Sequence, residues 1–393
     1  MREIVIIGAG ECGVRAAFAV REQGFDGSLT LLGAEAALPY ERPPLSKTNP
    51  CAPKPIRPEA SYREAGIDLR RGSTAAAINR QNRKVTLTNG EQLNYDRLLL
   101  ATGARARRLA DMEDCLTLRT DIDAVHIMER FATGALIGII GGGFIGLELA
   151  ATARQAGAEA TVVEAAPRLL GRAVPEAMAA IVHTRHVTEG VTIRTGTGVT
   201  AADANRIELA DGTVLGFDAV IAGVGSAPNV ELAQAAGLAV DNGIVVDASF
   251  RTSDTAIFAA GDCCNFEWRA SRVRLESWKA AQDQGAHAAA GMLGAAEAYG
   301  KVPWFWSDQY DMTLQVAGLF DMRREVHRRE SADGVCLVFQ CDDRGRLAAA
   351  AGIGPGNTVA KDIRILEKAI ERDAVVDADA IASASFNLRQ LLK

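Results

Sequence analysis

The sequence has no apolar run long enough to cross a bilayer, so no membrane span is expected. It has no Cys-x-x-Cys or zinc-type pair either. Seven cysteines, an odd number at irregular spacing, make neither a disulfide framework nor a metal site, and no metal is expected. Basic residues are not in excess: the formal net charge of -6 argues against a general nucleic-acid binder. The first apolar strand begins within a few residues of Met1, which leaves no room for a removable leader and makes the cytoplasm the expected location. What remains, at 393 residues with 48% hydrophobic and 23% charged, is a globular chain with two or three domains.

Two stretches carry chemistry. In LIGIIGGGFIGLELA, from Leu136 to Ala150, the apolar Ile137, Ile139 and Ile140 suit a strand buried on both faces, and Gly141, Gly143 and Gly146 follow in Gly-x-Gly-x-x-Gly spacing. The first glycine allows a tight turn, the second lets a pyrophosphate touch the backbone, and the third lets the helix pack on the strand. The helix start then aims free amides at an anion. The chain opens in the same way, with Ile4 to Ile7 followed by Gly8, Gly10 and Gly13. Two fingerprints in matching contexts imply two bound nucleotides and electron movement between them.

The acidic residue that ends the next strand of such a unit holds a ribose. In the second unit it is Glu164, closing Thr161 to Glu164; a carboxylate there repels a 2'-phosphate and favours NADH. Arg168 and Arg172 lie just beyond, where either could instead meet a phosphate or the adenine. In the first unit the strand Ser28 to Leu32 ends at Gly33, so Glu35 is the candidate from a shifted position. Cys12, Cys263 and Cys264 fall inside motifs, and small-residue filler is the favoured reading for them.

YERPPLSK, from Tyr40 to Lys47, is a proline-stiffened loop that delivers one lysine. Together with YDRLLLATG ending at Gly103, VIAGVGSAPN around Gly225 and FAAGD ending at Asp262, it resembles the FAD-dependent ferredoxin reductases of oxygenase systems. That family includes putidaredoxin reductase and the reductases of aromatic-ring dioxygenases, and apoptosis-inducing factor shares its architecture. The resemblance covers the whole chain. It implies an α/β fold of two Rossmann-like, glutathione-reductase-like nucleotide domains and a C-terminal α+β domain. The FAD domain would be residues 1–113 with 237–302, the NAD domain 114–236 and the C-terminal domain 303–393.

By the same resemblance Lys47 approaches the flavin ring and pairs with Glu148, which lies by the nicotinamide. Ala101, Thr102, Gly103 and Asp262 contact the flavin nucleotide, and Trp278 and Trp306 flank the flavin. Arg42 groups with these flavin-binding residues, and Gly225 sits beside the nicotinamide. From the residues alone, a solvated helix-start lysine is the favoured reading of Lys47, Glu148 reads also as an exposed helix glutamate, and each tryptophan equally as core. The implied activity passes two electrons from NADH to FAD and releases them singly to a ferredoxin-type iron-sulfur protein. Two alternatives stand beside it. A flavin NADH oxidase or peroxidase would need a redox cysteine where this chain has Leu45, Ser46 and Lys47; a redox-sensing flavoprotein that acts by interaction is the other.

Ile56 to Gln92 reads as a small strand layer. Beyond Trp304, Thr313 to Ala317 and Val335 to Gln340 alternate like strands, and Val359 to Arg372 has helical spacing. Arg105, Arg107 and Arg108 read either as a solvated linker or as groups near phosphate or partner. Arg323, Arg324, Arg328 and Arg329 crowd one short stretch, RREVHRR, and are expected to dock an acidic ferredoxin, or else to form a solvated edge that resists strand pairing. The oligomeric state is left open.

Overall fold

The computed structural model describes residues 1–108, 110, 112, 114–269, 271–330 and 334–393, with Glu330 described by its backbone alone; the domain boundary expected at 113 lies outside the described residues. The chain divides into two compact units. The first comprises Met1–Arg42, Pro53–Arg105 and Ser226–Lys301, and the second Pro43–Ala52, Ala106–Gly225 and Val302–Lys393.

The first unit is built on a parallel sheet in the order Ile257–Ala259, Arg97–Leu100, Glu3–Ile7, Ser28–Leu32, Asp68–Arg70. Its central strand is an uninterrupted apolar run because both faces are covered: Ile4, Val5, Ile6 and Ile7 are all buried. On one side the helix Glu11–Glu22 turns Ala16, Ala17, Ala19 and Val20 inward. Small side chains bring this helix very close to the helix Trp278–Met292, where a Cβ on Gly285 would lie 2.4 Å from the Cys12 carbonyl oxygen. A three-stranded antiparallel layer, Ala75–Asn79, Lys84–Leu87 and Gln92–Asn94, fills the region expected to hold one.

The second unit has, beside a small antiparallel sheet of Val199–Ala202, Arg206–Leu209 and Val214–Gly216, two larger sheets. One is parallel, Thr192–Thr195, Glu159–Glu164, Leu136–Ile140, Ala219–Ala222, with the helix Phe144–Gln155 leaving the Leu136–Ile140 strand. The other is antiparallel, in the order Trp304–Gln309, Met312–Gly318, Leu347–Pro355, Cys336–Cys341, His327–Glu330. The helix Ala360–Glu371 covers the antiparallel sheet with Ile363, Leu366, Ala369 and Ile370, the apolar stripe that its spacing predicts. One core joins the two larger sheets of this unit: Leu314, Val316, Val338 and Ile353 pack in the same cluster as Ile137, Ile139 and Leu147. The α/β architecture expected from the sequence is the architecture found. Among the described residues no helix is long and apolar enough to cross a membrane.

Candidate active site and nucleotide loops

In the first unit the glycines divide their work as the motif requires. Gly8 turns at φ +111°, and a Cβ there would fall 2.1 Å from the Ala101 carbonyl oxygen; a Cβ on Gly13 would fall 1.8 Å from the Gly8 carbonyl oxygen. Gly10 differs, because nothing lies within 4 Å of where its Cβ would be. The second unit repeats the pattern: Gly141 at φ +105° would strike the Gly223 carbonyl oxygen at 2.4 Å, Gly146 the Gly141 carbonyl oxygen at 2.2 Å, and Gly143 faces open space. Both helices start on that middle glycine with no side chain capping them, in contrast to Thr120 and Ser277, which cap their own helices. Uncapped first-turn amides behind an open glycine fit the pyrophosphate of a dinucleotide in each unit.

Around the first loop, Ala101 donates to the Ile7 carbonyl at 2.8 Å, and Thr102 and Gly103 are tied down by Asn229. Its side-chain amide donates to the Thr102 carbonyl at 2.9 Å, its backbone amide to the Gly103 carbonyl at 2.9 Å, and the Thr102 hydroxyl donates back to the Asn229 carbonyl at 2.6 Å. Glu35 accepts from the Tyr40 hydroxyl at 2.5 Å and from Arg42 Nη2 at 2.5 Å. Burial works against the Arg42 charge, yet the neighbouring Glu35 outweighs it and holds the guanidinium above its ordinary value. Arg274 braces the Gly-Asp turn by donating to the Asp262 carbonyl at 3.2 Å. Trp278 opens its helix just after the Ser277 cap. Cys12, Cys263 and Cys264 are fully enclosed, and burial pushes their thiols up, the behaviour of packing residues.

In the second unit the Glu164 carboxylate is oriented by backbone: Gly142 donates to Oε2 at 2.7 Å and Ala166 to Oε1 at 2.7 Å. Each oxygen keeps a lone pair for a ribose hydroxyl. Arg168 turns inward to the carbonyls of Leu169 and Gly171, at 3.3 and 3.0 Å, and so braces its own loop, whereas Arg172 is exposed. Gly225, at φ +102°, ends the loop after the Ala219–Ala222 strand with open space beside it.

Lys47 and Glu148 meet inside this unit. Glu148 is 7% exposed, on a helix whose residues 146–153 are all buried, which rules out the exposed helix glutamate. The Ser46 hydroxyl donates to its Oε2 at 2.5 Å, the Ser307 hydroxyl to its Oε1 at 2.6 Å, and Lys47 Nζ stands 3.5 Å from Oε1. Burial is the largest influence and raises the carboxyl above its ordinary value, while Lys47 and the two serines pull the other way. On its far side Lys47 Nζ lies 3.8 Å from Asp308 and 5.2 Å over the Trp306 ring, and Trp306 Nε1 donates to the same Asp308 oxygen at 2.8 Å. Ser46, Ser307 and Asp308 were missed in the sequence although each lies within two residues of one already singled out.

The expected basic patch does not form as four open charges. Arg323 pairs with Asp321 at 2.9 Å and Arg324 with Asp343 and Asp321, while Arg329 reaches the carbonyls of Ile381, Ser383, Ala384 and Phe386. Four acceptors for one guanidinium make Arg329 a structural brace. His327–Glu330 is the edge strand, with Arg328 exposed upon it.

Two dinucleotide loops in one chain, with a half-buried lysine against a buried glutamate, define an oxidoreductase that works between two nucleotides. Residues 2–285 match the pyridine nucleotide-disulphide oxidoreductase family and residues 304–392 the family described as reductase C-terminal. The chain belongs to the pyridine nucleotide-disulphide oxidoreductase family. It is 41% identical to the ferredoxin–NAD(+) reductase component of the anthranilate 1,2-dioxygenase system of Burkholderia cepacia, over 99% of this chain and 98% of that one. It is 43% identical to rhodocoxin reductase of Rhodococcus erythropolis, over 99% of both. Among solved structures, it matches a chain of the covalent putidaredoxin reductase–putidaredoxin complex with a TM-score of 0.92 at 34% identity, covering 100% of this chain and 98% of that chain.

Two predictions come from these loops. Gly10 and Gly143 have backbones that suit alanine, at φ -78° and -83°, so a methyl there obstructs only a ligand. Gly10→Ala should weaken FAD binding roughly tenfold or more with little change in melting of the apoprotein, and Gly143→Ala should do the same to NADH while FAD content stays normal. Titration calorimetry on both variants checks this, and unchanged affinities would place the pyrophosphates elsewhere. Glu164→Ala should lower the kcat/KM ratio of NADH to NADPH by about tenfold, the scale of a hydrogen bond to a charged group. The ratio cancels the loop loosening that both cofactors would feel; an unmoved ratio shows that Glu164 is not the selector.

Proposed function

We propose that this chain is the NADH-dependent reductase of an oxygenase system, passing electrons through FAD to a ferredoxin-type iron-sulfur protein. The observation that carries the reading is the duplicated glycine loop, open in both units at the same glycine, in a chain that matches such reductases over nearly its whole length. FAD, when bound, supplies the conversion between the electron pair of NADH and the single electrons a ferredoxin accepts.

The residues divide the remaining work. Gly8, Gly10 and Gly13, with Ala101, Thr102, Gly103 and Asp262, hold the flavin nucleotide; Glu35 and Arg42 shape its adenosine end, and Trp278 and Trp306 serve the ring. Gly141, Gly143, Gly146, Glu164, Arg172 and Gly225 hold NADH. Lys47 provides a fixed positive charge for the electron-rich state of the ring, and Glu148 with Asp308 keeps that ammonium oriented. Leu45, Ser46 and Lys47 occupy the place where a redox cysteine would serve an oxidase or peroxidase, which favours the reductase over those rivals. The division into 1–113 with 237–302, 114–236 and 303–393 belongs to the same proposal, as does a cytoplasmic location.

The purified protein should be yellow, bind one FAD without a covalent bond, and reduce a ferredoxin with NADH. Lys47→Met should slow flavin reduction about 10- to 100-fold with FAD retained, since one charge beside the ring is removed, and should lower the melting temperature because buried Glu148 loses its ammonium partner. Rapid-mixing absorbance decides it: a colourless protein that rejects FAD sinks the reading, and wild-type traces remove Lys47 from it.

The acceptor we assign is an acidic ferredoxin, met by the two solvent-exposed arginines of the stretch, Arg323, 89% exposed at its side chain beside Asp321, and Arg328 on the edge strand. Changing both to glutamine should raise the ferredoxin KM and flatten its salt dependence while ferricyanide reduction stays normal. Unaltered ferredoxin kinetics across salt would move the docking surface elsewhere.

A further inference from the structure

Glu148 is the end of a longer hydrogen-bonded chain. Gln309 Nε2 donates to the Ser307 hydroxyl oxygen at 3.0 Å, the Gln309 Oε1 lies 2.7 Å from His186 Nε2, and the Tyr310 hydroxyl lies 3.2 Å from His186 Nδ1. Ser307, Gln309 and His186 are buried to 1%, 6% and 0% exposure. Tyr310 reaches the ring from a left-handed turn residue, φ +58°, with its own ring edge-on to the imidazole at 5.2 Å and beneath Arg185 at 4.9 Å. A non-glycine residue in that region persists only where its surroundings hold it.

The direction of the chain follows from its end. An ionised carboxylate only accepts, so Ser307 must give its single proton to Glu148 and accept from Gln309 with a lone pair. That orients the amide with its oxygen toward His186, which must donate from Nε2. A neutral imidazole then accepts at Nδ1, and Tyr310 donates there. Burial, aided by Arg185, keeps the His186 imidazole below its ordinary value and therefore neutral. Every donor points the same way, the arrangement in which hydrogen bonds polarise one another. An amide does not pass protons along readily, so the chain orients and stabilises and does not conduct.

We propose that His186, Gln309 and Ser307 are positioning residues that hold Glu148 as an ionised carboxylate facing Lys47. This rests on the reading of Lys47 and Glu148 as the groups that serve flavin reduction. The charged groups facing the array are Lys47 at 3.5 Å from Glu148, Asp308 beyond Lys47, and Arg185 at the far end, itself paired with Glu189 and Asp311. Glu148 titrates from a raised value, so it is charged above that value and loses its hold on Lys47 as pH falls through it. Removing the last donor raises the value further, and the acid loss of activity then begins at higher pH.

The test uses the holoenzyme and reads the pH dependence of flavin reduction by NADH. Ser307→Ala should move the midpoint of the acid limb upward by about 1 to 2 pH units, the size of one hydrogen bond to a charged group. Gln309→Leu should move it the same way by less, and Ser307→Thr, which keeps the hydroxyl, should restore it. If Glu148→Gln keeps the wild-type acid limb, the Lys47–Glu148 reading falls and this proposal with it. If Glu148→Gln abolishes the limb but Ser307→Ala and Gln309→Leu leave its midpoint in place, the chain alone is overturned. A second measurement needs no turnover: nitrogen NMR of the five histidines should show His186, assigned by loss of its signal in His186→Phe, as the neutral Nε2–H tautomer at neutral pH. An Nδ1–H tautomer in the wild-type protein contradicts the chain's direction and overturns the proposal even if a variant fails to fold.

Discussion

Backbone must touch backbone at the start of each fingerprint helix, and the architecture of both units follows from that contact. A strand, its helix and the return strand converge where Gly13 abuts Gly8 and Gly8 abuts Ala101, and again where Gly146 abuts Gly141 and Gly141 abuts Gly223. Any side chain would separate these segments by more than a close-packed core tolerates. The same contact leaves the middle glycine facing outward with uncapped amides behind it. The open, uncapped loop thus comes from the way strand and helix are joined, and both units show it.

The second unit carries a cost that the first does not. Placing Glu148 inside a helix face buried from 146 to 153 takes a carboxylate out of water, a penalty of several kcal/mol unless it is matched. Two serine hydroxyls and one ammonium match it, and they reach the fingerprint helix from two separate pieces of chain: the loop at Ser46 and Lys47, and the Trp304–Gln309 strand. This is a physical reason for the Pro43–Ala52 loop and the C-terminal sheet to share a compact unit with the second fingerprint. The charge binds these segments together only while it is ionised, so the position of Lys47 and the integrity of the cluster are one property.

Charge read in sequence proved less transferable than glycine. Arg329 looked like part of a docking patch and instead closes the Ile381–Phe386 turn, and Arg168, a candidate phosphate ligand, braces its own loop. A guanidinium presents five donors on a long flexible stem, and its partner is chosen by whichever acceptors the fold brings near. Glu35 shows the same dependence, since Tyr40 and Arg42 claim its two oxygens. Gln309 and His186 carried no local signal at all, being ordinary polar residues on a strand and a helix.

The sequence by itself determined the two parallel sheets, the pair of glycine loops, the strands and helix of the C-terminal module, and the presence of one lysine on a stiff loop. These depend on backbone conformation and apolar periodicity, which act between residues close in the chain. Only the tertiary structure decided that Ser46 and Ser307 converge on one carboxylate, that Gln309 and His186 extend the chain behind Ser307, and which arginines remain at the surface. Those partners are separated by as many as 159 residues, as Glu148 and Ser307 are, and the energy of each contact depends on burial that no single segment possesses before the chain has packed.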